Sequence, residues 1–230
     1  MQEFFCISAS LSMLPTHVVF DLDGTLIDSA GAILASYRAA FAACGLTPVR
    51  AIEADIVGPP LGETLRRLAG SEDSALIIRL IDAFRQSYDT GGLLETLAYP
   101  GVGDMLQALR AAGMTLSIAT NKRIHPTRLI IEHIGWTDIF DSVYALDLFT
   151  PPLPDKAAML ERMLIEQKID TYKAVYVGDR IEDFEAAEAN HLPFIAATWG
   201  YGIAHAGSIA ARWREAATPS GLKQMLLGEK

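Results

Sequence analysis

The stretch VVFDLDGTLIDS, residues 18–29, decides how the chain is read. It opens on Val18, Val19 and Phe20, the β-branched and aromatic composition of a strand buried on both faces. Asp21 and Asp23 follow, with Gly24 and Thr25 directly behind them. Ending a buried strand in two carboxylates is costly unless something neutralises them. Alternate residues of an extended chain share one side, so the pair can address a single ligand. Taken alone, the stretch is also compatible with an Asp-Gly turn closing a strand. An EF-hand is excluded, because counting from Asp21 the glycine comes fourth instead of sixth and no acid stands twelfth.

Working outward, four more short apolar runs follow the first at 18–21: residues 114–120, 142–146, 174–177 and 193–197. Amphipathic periods over 102–112, 126–134, 156–167 and 182–190 alternate with them. Strand–helix repetition of this kind predicts an α/β fold with a doubly wound parallel sheet of five or more strands. The alternation fails between the first two strands. There AGAILASYRAAFAACGL, PLGETLRRLAG and SALIIRLIDAFRQSY all have helical periodicity, broken at Gly45, Pro48, Gly58-Pro59-Pro60 and Gly70. A parallel crossover needs only one helix. Residues 29–98 are therefore expected to form an inserted helical cap domain, with 16–28 and 99–230 as the α/β catalytic core. Residues 1–15 are expected to be a disordered extension. They lack the basic start of a secretory signal, and Met13 offers an alternative initiation site.

Composition narrows the function classes. The formal net charge of -9 over 230 residues argues against nucleic acid as a partner. No apolar run is long enough to span a membrane. Cys6 and Cys44 form no CxxC pair and have no zinc-like spacing with histidine, so reduced thiols and a cytoplasmic location are expected. The oligomeric state stays open.

In open α/β sheets, ligands bind outside the carboxyl ends of the strands. The residues delivered there are Asp21 and Asp23, then Thr120, Asn121 and Lys122, then Asp155 and Lys156, then Asp179 and Asp183. Carboxylates gathered on one rim, with a lysine among them, suit magnesium and a phosphorylated small molecule. Bland roles compete with this reading. Asp179 to Glu182, DRIE, has the form of a capping box, and Thr120 and Asn121 can simply end a strand. Arg66 and Arg67 in the cap read as a solvated helix face. His17, His125, His133, His191 and His205 form no spaced pair.

DLDGTLIDS resembles the first motif, DxDGT, of the haloacid-dehalogenase-like phosphatases. Thr120 in IATNK is similar to the second motif of that family, Lys156 to the third, and VGDRIEDFEAA to the acidic fourth. YPGV at 99–102 and TWGYG at 198–202 resemble the phosphoglycolate-phosphatase-like branch. The third motif departs from the usual Lys-Pro-x-Pro, because in PPLPDKAAM the prolines precede the lysine. The resemblance implies a magnesium-dependent phosphatase acting on a small phosphomonoester. It makes Asp21 the nucleophile, Asp23 the acid/base, and Thr120, Asn121 and Lys156 the phosphate-binding groups. It also implies that magnesium is held by Asp21, the Asp23 backbone carbonyl, Asp179 and Asp183. A β-phosphoglucomutase-like mutase is the enzymatic alternative, although such enzymes usually carry valine where Thr25 stands. A phospho-accepting receiver domain is the alternative from another class. The absence of a cap from such domains, and their acceptor on a later strand, weigh against it.

Overall fold

The computed structural model describes residues 14–202 and 212–229. Six strands form one parallel sheet: β1 (His17–Phe20), β4 (Thr115–Thr120), β5 (Ser142–Ala145), β6 (Ala174–Gly178), β7 (Phe194–Ala197) and β8 (Arg214–Ala216). Their spatial order is β5-β4-β1-β6-β7-β8, so β1 is central, between β4 and β6. The chain passes from β1 to one side and later crosses to the other. The crevice at the carboxyl ends of β1, β4 and β6 is therefore the topological switch point.

Side chains alternate across this sheet as a doubly covered strand requires. Val18 and Phe20 of β1 join Leu116 and Ile118 of β4 and Val175 and Val177 of β6 in one hydrophobic cluster. Val19, Ala119 and Tyr176 join the other, under α6 (Lys156–Glu166) and α7 (Ile181–Ala189). Each fully buried Val, Ile or Leu contributes about 1.5–3 kcal/mol, so this alternation fixes register strongly. α4 (Val102–Ala111), α5 (Ile124–Ile134) and α8 (Pro219–Leu227) complete the layers.

The five strands read from sequence are all present; the first is moved by one residue at both ends, and each of the other four by one residue at one end only. β8 is an addition. It lies at the sheet edge with two of its three residues exposed, so it carries no apolar run to read. α5 starts at Ile124, ahead of the 126 expected, because Pro126 sits in the first turn, where its missing N–H costs no helical bond.

Between β1 and β4 the chain leaves through β2 (Ile27–Asp28) and returns through β3 (Leu97–Ala98), which pair antiparallel as a two-stranded ribbon. Beyond the ribbon stand three helices, α1 (Ala30–Ala43), α2 (Leu61–Ala69) and α3 (Ser74–Thr90). Their apolar faces, including Ile33, Leu65, Leu80 and Phe84, belong to the same buried cluster as β1 and β4. Of the extension expected at 1–15, residues 1–13 lie outside the described residues. Pro15 is buried, and the Thr16 N–H donates to the Lys173 carbonyl at 2.8 Å. Cys44 is a free thiol; Cys6 is outside the described range. Among the described residues, no helix is long and apolar enough to cross a membrane.

Candidate active site

β1 ends at Phe20, but its pairing runs one residue further, with the Asp21 N–H donating to the Val177 carbonyl at 2.8 Å. That bond places Asp21 at the mouth of the crevice between β1 and β6. Gly24 then turns the chain with φ +86, a region that side-chain-bearing residues rarely adopt. A Cβ there would also collide with the Asp179 carboxylate, so glycine lets the first loop close on the fourth.

Asp21, Asp179 and Asp183 each bring a carboxylate oxygen within 4.8 Å of the others, and all three are buried. Lys156, the first residue of α6, places Nζ 3.0 Å from Asp21 Oδ1 and bonds Asp183 Oδ1. Proline placement before Lys156 thus does not prevent its reach: Asp155 caps α6 by accepting from the Ala158 N–H at 2.8 Å, and Lys156 follows it inward. Burial pushes the Asp21 carboxyl up to about 7 against the pull of Lys156, with Asp183 adding repulsion. Burial, then Asp183 and Asp21, push Asp179 up to about 8. A cluster that must hold protons when left alone is one that a cation would stabilise. Asp21 Oδ1 also lacks an aligned hydrogen-bond donor despite its burial.

Asp183 differs from the other two. Its Oδ2 accepts the backbone N–H groups of Asp179 and Arg180, each at 3.1 Å, and its Oδ1 takes Lys156 and, at 3.3 Å, the Tyr176 hydroxyl. Its lone-pair sites are thereby filled. These bonds also correct the expected capping box. The N-cap of α7 is Arg180, not Asp179, and the N3 carboxylate that reaches back is Asp183, not Glu182. Asp179 is left free to face the crevice, where Thr25 Oγ1 donates to it at 3.2 Å and the Tyr201 N–H at 2.7 Å.

Asp23 has separate partners. Lys122 Nζ donates to its two oxygens at 2.9 and 3.2 Å, and the Ser29 hydroxyl donates to Oδ1. The ammonium also lies 4.7 Å from the centre of the Tyr88 ring on α3. Attraction to Asp23 and Tyr88 outweighs the burial that opposes its charge, so the Lys122 pKa is raised. Because Ser29 turns to Asp23, it does not cap α1. Tyr201 Oη accepts the Ser29 and Ala30 N–H groups instead, at 2.9 and 3.1 Å, and donates to Asp28 at 2.7 Å.

Thr120 is buried at the end of β4, and its Oγ1 accepts the Lys122 N–H at 3.2 Å. Asn121 donates to the Gly58 carbonyl in the helical insertion at 3.1 Å, which leaves its Oδ1 buried without a partner. Arg180 donates to the carbonyls of Val57 and, at 3.1 Å, Asp55 in the same loop. The rim thus collects Asp21, Thr120, Lys156, Asp179 and Asp183, with Asp23 beside them. Lys122, Ser29, Thr25, Arg180 and Tyr201 were not assigned roles from sequence. Lys122 was visible at a strand end, and Tyr201 lay within TWGYG. The Arg66 and Arg67 reading holds: they pair with Glu72 at 3.3 Å and Glu63 at 2.6 Å on the helix surface.

A parallel sheet with acidic and lysine side chains at its switch point, entered through a helical insertion, defines a hydrolase of the haloacid-dehalogenase type. The chain belongs to that family: the haloacid dehalogenase-like hydrolases match residues 18–197. Phosphoglycolate phosphatase from Xylella fastidiosa is 36% identical over 198 residues, covering 84% of each chain. Tyrosine-protein kinase PtkA from Mycobacterium tuberculosis is 34% identical over 191 residues, covering 83% of this chain. The chain spans 64% of the length of that relative. Among solved structures, one described as a predicted phosphatase from Clostridium acetobutylicum has a TM-score of 0.83 at 27% identity, covering 94% of this chain and 100% of its own. By family the chain is thus a haloacid dehalogenase-like hydrolase, similar both to relatives named phosphoglycolate phosphatase and to PtkA.

Proposed function

We propose that the enzyme hydrolyses a small phosphomonoester through an aspartyl-phosphate, with magnesium bound in the acidic cluster. The carrying observation is the division of the first motif, with Asp21 against Lys156 and the acidic cluster, and Asp23 against Lys122 and Ser29.

The donor set fits the metal. It is small, buried and all oxygen. Three carboxylates against one lysine leave two negative charges, which a divalent cation balances. Asp21 and Asp179 would hold magnesium, with the Asp23 backbone carbonyl, while Asp183, its sites filled, serves through water and as the anchor of Lys156. Bound there, the ion would neutralise charge on the phosphoryl oxygens.

An Asp21 oxygen attacks phosphorus, and the bond to the ester oxygen breaks. Asp23 gives its proton to the leaving oxygen, which departs as the alcohol. The Thr120 hydroxyl, the Asn121 amide N–H and Lys156 would bind the phosphoryl oxygens. Water then attacks the aspartyl-phosphate while Asp23 takes its proton, which frees phosphate and restores Asp21. The helical insertion acts as a cap, and its 55–58 loop, gripped by Asn121 and Arg180, closes the crevice.

The test is phosphoenzyme trapping. With an ester and magnesium, Asp23→Asn should gain the mass of one phosphoryl group, because its water is no longer activated. Asp21→Asn should gain none and should turn nothing over. Phosphorylation that persists in Asp21→Asn would remove Asp21 from the role of nucleophile.

A further inference from the structure

A cleft, partly open to solvent, lies between the helical insertion and the sheet and reaches Asp23. Its position fixes its use. The phosphoryl group belongs to Asp21 and Lys156, so what lies beyond Asp23 is the alcohol that Asp23 protonates. The walls are apolar and aromatic: Ile33 and Tyr37 of α1, Leu61 of α2, and Phe84 and Tyr88 of α3. Tyr37 and Phe84 have ring centroids 4.7 Å apart and Phe84 and Tyr88 5.5 Å, so their rings form a continuous aromatic side.

The two cations of this lining are both committed to carboxylates of the chain. Lys122 holds Asp23 through both oxygens, with a side chain only 6% exposed. Arg123 forms a two-pronged bond to Asp89 of α3, one prong at 3.0 Å. Among the described lining residues no cation is left for a carboxylate on the ligand, and such a group would face Asp23 itself. Two polar atoms do lack partners, the Tyr88 hydroxyl and Asn121 Oδ1, both buried in this lining. They suit an uncharged hydroxyl.

Resting on the phosphatase reading above, we infer that the cleft takes an uncharged alcohol with an apolar or aromatic face. It selects against esters whose alcohol carries a carboxylate, phosphoglycolate included. The enzyme then departs in substrate from the relatives named for phosphoglycolate, and Asp89 sets the departure by occupying Arg123.

Benzyl phosphate and phosphoglycolate separate the two possibilities, because both release a primary alcohol from a methylene carbon. In the magnesium-loaded enzyme, kcat/KM for benzyl phosphate should exceed that for phosphoglycolate by at least about tenfold, since like charges juxtaposed without a partner are strongly disfavoured. Calorimetric binding to Asp21→Asn, which forms no product, should give the same order. Asp89→Asn frees Arg123 and should shrink the preference by about tenfold, through a lower KM for phosphoglycolate with benzyl phosphate turnover retained. Phe84→Ala should weaken benzyl phosphate alone. Equal or better binding of phosphoglycolate by Asp21→Asn, or binding of neither ester, would overturn the inference. So would an Asp89→Asn variant that loses both activities in parallel, which marks a structural role only. If Asp21→Asn binds in the expected order while the parent protein releases phosphate from neither ester, the cleft assignment stands and the phosphatase reading fails.

Discussion

Lys122→Met tests the most consequential contact that the fold adds to the sequence motifs. The Lys122 and Asp23 side chains are 6% and 10% exposed, and the ammonium meets both carboxylate oxygens. Methionine keeps the length and the apolar stem but removes the charge. Asp23 is then left with Ser29 as its remaining side-chain donor in a site largely closed to water. Removing one partner of a buried pair typically costs about 3–5 kcal/mol, because the other charge stays uncompensated. Loss of the cation over Tyr88 belongs within that range. For a chain of this size, each kcal/mol lowers the melting temperature by about 2–4 °C, so the expected drop is roughly 6–20 °C. Adding Asp23→Asn should recover part of the loss, a coupling of about 2–3 kcal/mol by a double-mutant cycle in thermal or urea unfolding. Turnover measured below the melting range should fall by about a hundredfold, since the acid is no longer held in place. A Lys122→Met protein within about 1 kcal/mol of the parent, well under the buried-pair cost, would show that the ammonium is solvated. It would then be free for a ligand carboxylate, and the case for an uncharged alcohol would fall with it.

The acidic cluster makes stability depend on pH in a known direction. Asp21 and Asp179 are pushed up to about 7 and about 8, whereas unfolded aspartate titrates near 3.9. The metal-free fold therefore keeps protons that the unfolded chain has lost, and its stability falls as pH rises from about 4 through 8. Magnesium replaces those protons, so the rise in melting temperature on adding it should be larger near pH 8 than near pH 5; a gain independent of pH would show that these carboxyls do not hold the ion. Gly24→Ala forces a left-handed φ and a clash with Asp179. It should cost at least about 1–2 kcal/mol and should abolish the magnesium-dependent gain, which calorimetric scans with and without the ion would show; a full gain would place the metal elsewhere.

Much of this site was legible because three of the four motifs sit at the ends of their own strands, and Lys156 opens the helix α6. A short buried run followed by Asp21, Thr120 or Asp179 can be read without knowing any long-range contact, and the parallel topology then brings those ends to one rim. The edge strand β8 was not legible, since Arg214 and Glu215 are exposed there and the strand pairs only with β7. Nor was the capping of α1. A serine before a helical run signals an N-cap, yet Ser29 faces Asp23, and the hydroxyl of Tyr201 supplies the missing acceptor. Local pattern shows what a side chain can do; competition between partners decides what it does.

Asp21 and Asp23 carry that point furthest. Two positions apart, they would share one side of a strand and one chemistry if extended geometry persisted. β1 ends at Phe20, however, and Gly24 turns the chain, so the two carboxylates separate. Asp21 meets Lys156 from α6 and the acids beyond β6, whereas Asp23 meets Lys122 from beyond β4 and Ser29 at the entrance to the helical insertion. Lys122 in turn touches Tyr88 of that insertion, and Tyr201 links the Asp179 carboxylate to the α1 N-terminus. In the proposed mechanism the nucleophile Asp21 is thus tied to the acidic cluster, and the acid/base Asp23 to the cap side. Proton transfer by Asp23, to the leaving oxygen and later from water, then depends on how the insertion sits. With an aryl phosphate, whose leaving oxide needs no proton from Asp23, substitutions at the cap contacts of Lys122 should accordingly slow breakdown of the phosphoenzyme more than its formation. A burst of alcohol release followed by slow phosphate release is the kinetic form that difference takes, and equal slowing of both steps would refute the separation.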